Sequence, residues 1–209
     1  RARASFLDPH TLALNYADGA KKRLAADSVI IATGSRPALF GPLIRSRRLM
    51  NSTNALHLED IPGTLLVIGG GYIGLELGSV YAALGSAVTV AEMTDVLLPG
   101  GDRDLVVPLA HRLESRFHQI MLKTRVNTMQ ETDQGILVNL ENEEIGKEDR
   151  LFDKVLISVG RKPNSRGLNL FEIGLEIDAQ GFIPVDLQRR TAIPHIYAIG
   201  DVTGQPMLA

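Results

Sequence analysis

The sequence predicts an α/β fold built on a parallel sheet with an antiparallel excursion. Three observations lead to this prediction. An apolar run at residues 65–68 enters a glycine-rich turn and a helix-like segment. A second strand-like run follows at residues 87–91, so strand, helix and strand together form a β-α-β unit. From residue 119 the hydrophobic pattern changes to a period of two, which is typical of antiparallel strands.

The glycine-rich turn has the spacing G-x-G-x-x-G at Gly69, Gly71 and Gly74. In such a turn the first glycine permits a tight bend, and the second lets a pyrophosphate approach the backbone. The third glycine lets the helix pack closely against the strand. The helix N-terminus then offers amide groups and partial positive charge to the phosphates. This pattern predicts a Rossmann-like dinucleotide-binding unit, although a glycine turn without a ligand remains the alternative.

An acidic residue ends the second strand of this unit. Glu92 follows Gly74 at close to the roughly 20-residue interval expected for the carboxylate that binds an adenosine ribose. A carboxylate there accepts hydrogen bonds from a 2′-hydroxyl group and repels a 2′-phosphate. The sequence therefore favours NAD over NADP as the nucleotide.

The segments before this unit read as strands and a connector. Residues 5–17 read as a strand region that ends in a turn at residues 18–19. A buried strand is predicted at residues 28–33, closed by glycine and proline. Residues 38–62 read as a connector that contains one short helix at about residues 53–58.

A second helix is predicted to start at the N-cap residue Asp102 and to extend to about Phe117. Pro108 lies inside this segment and removes one backbone donor. We therefore expect the helix to be broken or bent near Pro108, or to begin at about Val107.

The C-terminal half alternates between strands and loops. Antiparallel strands are predicted at residues 119–130 and 135–141, and the polar run at residues 141–150 reads as a solvated loop. Later segments follow in this order: a buried strand at residues 154–159, a loop-rich region at residues 165–195 with one short strand near residues 182–185, and a last buried strand at residues 196–199.

Two segments share one pattern of buried strand, glycine, basic residue and proline. They are residues 30–37 and residues 156–163. This similarity fits a weak internal repeat of two nucleotide-binding modules. Two unrelated buried strands that each need a terminator would explain it nearly as well.

Composition excludes several classes of function. The chain has a net charge of −2. It therefore lacks the excess of basic residues that would indicate nucleic acid or an anionic membrane as partner. No apolar run is long enough to span a bilayer. There are no cysteines, which excludes disulfides, thiolate metal sites and cysteine catalysis within this chain. The five histidines lack metal-ligand spacing, so no metal site is predicted.

Several motifs together resemble the flavin-dependent pyridine nucleotide–disulfide oxidoreductases, and within them the dihydrolipoamide dehydrogenases of the bacterial type. The resemblance extends from about residue 27 to residue 209, and glutathione and mercuric reductases share most of it. The motifs lie at residues 32–37 (Ala-Thr-Gly-Ser-Arg-Pro), 69–76 (Gly-Gly-Gly-Tyr-Ile-Gly-Leu-Glu), 159–164 (Val-Gly-Arg-Lys-Pro-Asn), 198–201 (Ala-Ile-Gly-Asp) and 204–209 (Gly-Gln-Pro-Met-Leu-Ala).

The resemblance implies two groups of cofactor-binding residues. The residues implied to bind NAD are Gly69, Gly70, Gly71, Tyr72, Ile73, Gly74, Glu76, Glu92, Val126 and Gly160. The residues implied to contact FAD are Thr33, Gly34, Ser35, Asp201, Met207, Leu208 and Ala209. Glu76 would lie near the nicotinamide–flavin junction, and a charge on the helix surface is the equal alternative. Ala4 stands where the family has an FAD-contacting glycine, which weakens the match at that edge.

The same resemblance implies that the chain is a fragment of a longer enzyme. The family has an N-terminal FAD fingerprint, a redox-active cysteine pair and a C-terminal interface domain, and this chain starts without methionine and has no cysteine. We expect residues 1–62 to be a remnant of the FAD-binding domain with a connector, residues 63–160 to be the NAD-binding domain, and residues 161–209 to return to the FAD-binding domain.

The implied parent enzyme oxidises dihydrolipoamide through a disulfide and FAD, and it reduces NAD. Its expected partners are a lipoyl-bearing 2-oxo acid dehydrogenase complex and a second copy of itself, and its expected location is the cytoplasm. No catalytic residue is predicted in this chain, which we expect to be inactive alone.

Other interpretations remain open at this stage. The chain could be a stand-alone NAD(H)-binding or redox-sensing module, or a fragment of another flavin disulfide reductase. The motifs at residues 33–35 and 200–201 favour a flavin enzyme over the stand-alone module. A complete small dehydrogenase is the weakest alternative, because no Tyr-x-x-x-Lys pair or strand-end histidine is placed as a proton donor.

Overall fold

The computed structural model describes residues 1–38 and 46–207, and the chain divides into two units. One unit consists of Arg1–Arg36 and Arg161–Ala209, and the other is Pro37–Gly160. The predicted domain boundary after residue 160 has the same position as a unit boundary. The predicted boundary after residue 62 lies further along the chain than the unit boundary after Arg36.

The elements are numbered in chain order. The strands are β1 Ala2–Asp8, β2 Thr11–Tyr16, β3 Lys21–Ala25, β4 Val29–Ile31, β5 Ser35–Pro37, β6 Leu49–Asn51, β7 Thr64–Ile68, β8 Ala87–Ala91, β9 Gln119–Met121, β10 Thr124–Thr132, β11 Gly135–Asn142, β12 Gly146–Phe152, β13 Lys154–Ile157, β14 Arg161–Pro163 and β15 Ile196–Ala198. The α-helices are α1 Tyr72–Ala83 and α2 Arg103–Glu114. Short 3-10 helices lie at Asn54–His57, Phe171–Ile173 and Gly200–Thr203.

A five-stranded parallel sheet forms the centre of the unit Pro37–Gly160. Its strand order is β6-β13-β7-β8-β9, and every neighbouring pair runs parallel. In register, Leu66 of β7 lies between Thr89 of β8 and Val155 of β13. The predicted α/β fold with a parallel sheet is therefore confirmed.

Strand β7 is buried on both faces of this sheet, which explains why its sequence is continuously apolar. Leu65 and Val67 belong to one hydrophobic cluster, which includes residues of α1 and α2. Leu66 and Ile68 belong to a second cluster, which includes residues of the antiparallel strands β10, β11 and β12. Successive side chains of a strand point to opposite faces, so four consecutive apolar residues serve two cores. Each such side chain contributes about 1.5–3 kcal/mol when it is fully buried.

The antiparallel excursion differs from its prediction in two places. Residues 119–130 are not one strand, because residues 119–121 join the parallel sheet as β9 and pair with β8. Lys123, with φ of +49°, then separates β9 from β10. The interpretation of residues 141–150 as a loop is also wrong, since β12 pairs with β11 across a turn at residues 143–145. Most of β12 is polar and at least partly exposed, so its composition resembles that of a loop.

Helix α2 begins where the sequence predicts, but it continues past its proline. The Asp102 side chain caps it by accepting a hydrogen bond of 3.2 Å from the Asp104 amide. Neither a break at Pro108 nor a start near Val107 occurs, because α2 is one continuous element. The cap and the burial of the apolar side chains on its inner face offset the roughly 3 kcal/mol that an interior proline costs.

The second unit combines an antiparallel meander with a short parallel pair. Strands β1, β2 and β3 form the meander, and β4 pairs in parallel with β15. The predicted strand region at residues 5–17 is therefore two strands, and β3 is a further strand that the sequence did not indicate. The core of this second unit contains buried apolar residues, among them Phe6, Ile31, Ile183, Ile196 and Val202.

Two smaller predictions about connecting segments have different outcomes. The predicted short strand at residues 182–185 is wrong, because this segment has no ladder partner, although the Ile183 amide donates to the Val202 carbonyl at 2.9 Å. Pro184 in its middle has no amide hydrogen to donate. The short helix predicted near residues 53–58 is present as the 3-10 helix Asn54–His57. The predicted connector also includes residues 39–45, which lie outside the described residues.

Candidate functional site

A cleft of about 430 Å³ opens at the carboxyl edge of the parallel sheet. Parallel α/β sheets bind ligands at this edge, beyond the ends of their strands. The lining residues come from the ends of β7, β8 and β13, the start of α1, and β10. They are Ile68, Gly69, Gly71, Tyr72, Ile73, Ala91, Glu92, Met93, Pro99, Thr124, Val126, Ser158, Val159 and Gly160.

Two glycines of the turn between β7 and α1 are required by close packing. Gly69 has a φ of +104°, and a Cβ atom there would lie 2.6 Å from the carbonyl oxygen of Ser158. A Cβ atom at Gly74 would lie 2.3 Å from the carbonyl oxygen of Gly69. Both positions are closed to any larger residue, because these contacts are to backbone atoms. This packing sets the start of α1 directly against the end of β7.

Gly71 differs from the other two, because it faces the cleft. A Cβ atom at this position would meet no protein atom within 4 Å, and the residue lines the cleft. Gly71 is also the N-cap of α1, with no capping side chain and no acidic residue in the first turn. The N-terminus of α1 therefore presents backbone amides and partial positive charge next to open space. A pyrophosphate fits this arrangement of a helix N-terminus and an uncluttered backbone.

The Glu92 carboxylate lies at the end of β8 and lines the same cleft. One of its oxygens, Oε2, accepts a hydrogen bond of 2.6 Å from the Gly70 amide. The other, Oε1, accepts bonds from the amide of Thr94 at 2.8 Å and from its hydroxyl group at 2.9 Å. These bonds fix the carboxylate between the glycine turn and the loop that follows β8. An anionic acceptor is thus held at one end of the cleft.

Two further contacts support the glycine turn, and the sequence did not indicate either. The Ser158 hydroxyl group donates to the carbonyl oxygen of Ile68 at 2.9 Å. The amide of Leu98 donates to the carbonyl oxygen of Gly70 at 3.0 Å. The guanidinium group of Arg103 donates to the carbonyl oxygens of Leu97, Leu98 and Gly101. The loop that contributes Pro99 to the cleft is therefore held against the turn.

The structure gathers most of the residues that were predicted to bind NAD. Those that line the cleft are Gly69, Gly71, Tyr72, Ile73, Glu92, Val126 and Gly160. Gly70 is not among them, since its Cβ position points at Leu97 and Glu92. Gly74 is buried in the packing of helix on strand. Glu76 is exposed on α1 and does not line this cleft.

The lining residues that the sequence did not single out are mostly strand ends. They are Ile68, Ala91, Met93, Pro99, Thr124, Ser158 and Val159. The rule that ligands sit at the carboxyl ends of parallel strands would have found those on β7, β8 and β13. Thr124 required the correct start of β10, which follows the unexpected break at Lys123.

The residues predicted to contact FAD belong to the other unit, where a polar network joins distant parts of the chain. The Ser35 hydroxyl group donates to an Asp201 carboxylate oxygen at 2.5 Å and accepts from Arg161 Nε at 2.5 Å. The Thr33 hydroxyl group donates to the carbonyl oxygen of Asn164 at 2.8 Å. Ser35, Arg161 and Asp201 thus form one connected group, and Thr33 makes a separate contact with residue 164.

The remaining predicted FAD contacts have different outcomes. Gly34 follows β4 and has a φ of +66°, a backbone conformation that glycine adopts more readily than other residues. Met207 is buried. Leu208 and Ala209 lie outside the described residues.

Two further findings limit the kinds of site present. Across residues 1–38 and 46–207, no three acidic or histidine side chains are arranged to hold a metal ion. In the same parts of the chain, no helix has the length and apolar character needed to cross a membrane.

Comparison with known proteins agrees with this geometry. The family model of the pyridine nucleotide-disulphide oxidoreductases matches residues 2–209. The dihydrolipoyl dehydrogenase of Haemophilus influenzae is 45% identical over 208 residues, which are 99% of this chain and 43% of that protein. The dihydrolipoyl dehydrogenase of Vibrio cholerae is 43% identical over 206 residues, which are 98% of this chain and 43% of that protein.

Solved structures give the same result for the fold. The HOCl-induced flavoprotein disulfide reductase RclA of Escherichia coli, solved as a Cu(II) complex, superimposes with a TM-score of 0.86 at 29% identity over 99% of this chain and 46% of RclA. LpdA of Mycobacterium tuberculosis gives 0.85 at 28% identity over 100% of this chain and 46% of LpdA.

These matches cover nearly all of this chain but less than half of each relative. The chain spans 43% of the length of the curated bacterial relatives. The family match covers nearly the whole chain, and the glycine turn and the acidic strand end occur where the motifs predict them. This chain belongs to the pyridine nucleotide-disulphide oxidoreductase family.

Proposed function

We propose that this chain binds NAD(H) in the cleft at the carboxyl edge of its parallel sheet. The observation that carries the proposal is the open space at Gly71, beside the N-terminus of α1 and in one cleft with Glu92. A helix N-terminus attracts phosphate, and a carboxylate accepts hydrogen bonds from a ribose. A dinucleotide contains both groups, joined at a distance that a single cleft can span.

In this proposal each part of the cleft has one role. The amides at the start of α1 hold the pyrophosphate, where Gly71 leaves room for it. Glu92 accepts hydrogen bonds from the hydroxyl groups of the adenosine ribose. Val126 contacts the adenine, and Gly160 lies toward the nicotinamide, as the resemblance implies. NAD is preferred to NADP, because a 2′-phosphate would bring negative charge against the Glu92 carboxylate.

We further propose that the chain is the NAD-binding part of a flavin-dependent dihydrolipoyl dehydrogenase. When bound, FAD and NAD would supply the hydride chemistry of the whole enzyme. This chain's residues would contribute Thr33, Ser35 and Asp201 toward FAD and the cleft toward NAD. The chain has no cysteine, so the dithiol half of the reaction cannot take place on its own residues.

The proposal extends to the partners and location of the whole protein. As the resemblance implies, the parent enzyme would act as a homodimer on a lipoyl-bearing 2-oxo acid dehydrogenase complex in the cytoplasm. Identity of 45% to a dihydrolipoyl dehydrogenase, against 29% to the disulfide reductase RclA, favours this branch of the family. Assay of the full-length protein with dihydrolipoamide and NAD tests it, and strict preference for another disulfide or metal substrate would contradict it.

A matched pair of glycine substitutions tests the NAD site directly. Gly71→Ala adds a methyl group that touches no protein atom but enters the space proposed for the pyrophosphate. Gly100→Ala is the control, because it also meets nothing within 4 Å and does not line the cleft. Binding can be followed by the fluorescence of NADH, which is excited at longer wavelengths than aromatic side chains absorb.

We expect Gly71→Ala to weaken NADH binding by about tenfold or more, equivalent to at least roughly 1.4 kcal/mol. Gly100→Ala should bind like the wild type. Thermal unfolding shows whether both variants are folded, and a lower unfolding temperature is expected for Gly71→Ala, because alanine is a poorer N-cap than glycine. Wild-type affinity in folded Gly71→Ala would show that no dinucleotide phosphate lies at this turn.

A further inference from the structure

Thr94 contacts Glu92 in a way that the proposed NAD site does not yet use. Its amide and its hydroxyl group both lie within 2.9 Å of the Glu92 Oε1 atom. The same hydroxyl oxygen lies 2.8 Å from the carbonyl oxygen of Val96. A hydroxyl group has one proton to donate, so these two acceptors compete for it.

The competition matters because Glu92 has few acceptor positions left. An ionised carboxylate offers roughly four lone-pair positions. With Gly70 on Oε2, and the amide and hydroxyl group of Thr94 on Oε1, one position on Oε2 remains. An adenosine ribose presents two vicinal hydroxyl groups, each of which needs an acceptor. The carboxylate as the structure holds it can accept only one of them.

Rotation of one hydroxyl bond resolves this shortage. The Thr94 proton can turn from Glu92 to the Val96 carbonyl oxygen without any movement of heavy atoms, because both acceptors are already in range. That rotation opens a position on Oε1 for the second ribose hydroxyl group. The Thr94 amide still holds Oε1 in place.

We infer that Thr94 is a positioning residue that fixes Glu92 before the nucleotide binds and yields one acceptor position to the ribose of NAD(H). This inference rests on the proposed NAD site and adds to it a determinant of nucleotide specificity. A 2′-phosphate cannot donate in place of the missing hydroxyl group, and it meets a carboxylate that the Thr94 bonds keep from turning away. The hydroxyl group therefore opposes NADP(H) while it costs NAD(H) little.

Substitution of Thr94 by valine tests the inference, because valine keeps the branched shape and loses the hydroxyl group. Thr94→Ser is the matched control that restores the hydroxyl group, and Thr94→Ala is a second variant without it. Titration of the 209-residue chain with NADH and with NADPH gives the ratio of the two dissociation constants. Thermal unfolding identifies the variants that fold.

We expect Thr94→Val to change NADH affinity less than about twofold, since the hydroxyl group has already left Glu92 in that complex. The preference for NADH over NADPH should fall roughly three- to tenfold, the scale of the net contribution of one ordinary intramolecular hydrogen bond. Thr94→Ser should keep the wild-type preference. If valine weakens both nucleotides equally, Thr94 only supports the loop and the inference is overturned.

A failure of the inference can be told apart from a failure of the site. A wild-type chain that binds neither nucleotide would remove the proposed NAD site and the inference together. A wild-type chain that prefers NADH, with an unchanged preference in folded Thr94→Val and Thr94→Ala, would remove the inference alone.

Discussion

A Cβ atom added at Gly74 would lie 2.3 Å from the carbonyl oxygen of Gly69, which is closer than Cβ atoms in proteins approach other atoms. The same position lies 2.5 Å from the Ser158 hydroxyl oxygen and 3.0 Å from a Val67 methyl group. Strand β7, helix α1 and the end of β13 thus meet at one glycine. The orientation of the amides at the start of α1 depends on this contact.

We expect Gly74→Ala to destabilise the chain, because a methyl group there must displace backbone. Overpacking of this kind costs about 1–3 kcal/mol, and it outweighs the roughly 1 kcal/mol that alanine gains over glycine inside a helix. Urea unfolding measures the difference, with Gly100→Ala as the control, since its methyl group meets no atom of the described residues within 4 Å. Equal stability of Gly74→Ala and the wild type would show that the turn relaxes freely.

Tyr81 provides a test of the packing beneath α1. Its side chain is 1% exposed, and its hydroxyl group donates to the carbonyl oxygen of Ala55 at 2.8 Å. Tyr81→Phe leaves that buried carbonyl without this donor and should cost about 1–3 kcal/mol in the free energy of unfolding. The control is Tyr16→Phe, on the meander of the other unit. A Tyr81→Phe variant as stable as the wild type would contradict the proposed weight of this hydrogen bond.

Tyr81 should also make the stability of the chain depend on pH in the alkaline range. Burial, followed by the charge of Asp60, raises the pKa of Tyr81 above its ordinary value. A raised pKa in the folded state contributes stability that is complete below the unfolded pKa of roughly 10 and is lost as pH rises. From about pH 8 to about pH 11 the wild type should lose more stability than Tyr81→Phe. Parallel losses would contradict this expectation.

The flavin content of the purified chain is a fourth expected outcome. In the proposed enzyme Ser35 and Asp201 would supply only part of a flavin site, and the chain spans 43% of the length of its bacterial relatives. We expect the 209-residue chain to retain little FAD and, without cysteine, to show no lipoamide reduction. Absorbance of the purified protein and a lipoamide assay measure both. A yellow protein with stoichiometric flavin would contradict the first expectation.

Much of the parallel sheet was predictable because its signals are local. Buried strands such as β7 and β8 read as apolar runs, and the glycine turn between them has a fixed spacing. Strand β12 pairs with β11, but most of its residues are polar and at least partly exposed to water. The sequence therefore shows no apolar pattern that would predict a strand there. The continuity of α2 through Pro108 depends on burial of Val106 and Leu113, which a local rule about proline does not contain.

The candidate site was predictable to the same degree. Glu92 and the glycines follow a motif, so their positions could be inferred from spacing alone. Ser158 and Thr94 could not, because each acts through a contact with a carbonyl or carboxylate group that only the folded chain brings close. Glu76 shows the converse, since the residue matches a motif yet lies exposed, outside the cleft lining.

In the proposed site the cleft binds NAD(H), and Glu92 selects it over NADP(H). Glu92→Arg replaces the repelling carboxylate by a guanidinium group, which pairs well with phosphate. The structural cost is the loss of the bonds to Gly70 and Thr94, so unfolding of the variant must be measured beside its binding.

The most direct measurement is calorimetric titration of NADH and NADPH into the wild type and Glu92→Arg. We expect the wild type to bind NADH more tightly than NADPH, because close negative charges repel and no hydrogen bond compensates. In Glu92→Arg that preference should narrow or reverse. Equal affinities of the wild type for the two nucleotides would show that Glu92 does not read the ribose and would contradict the account.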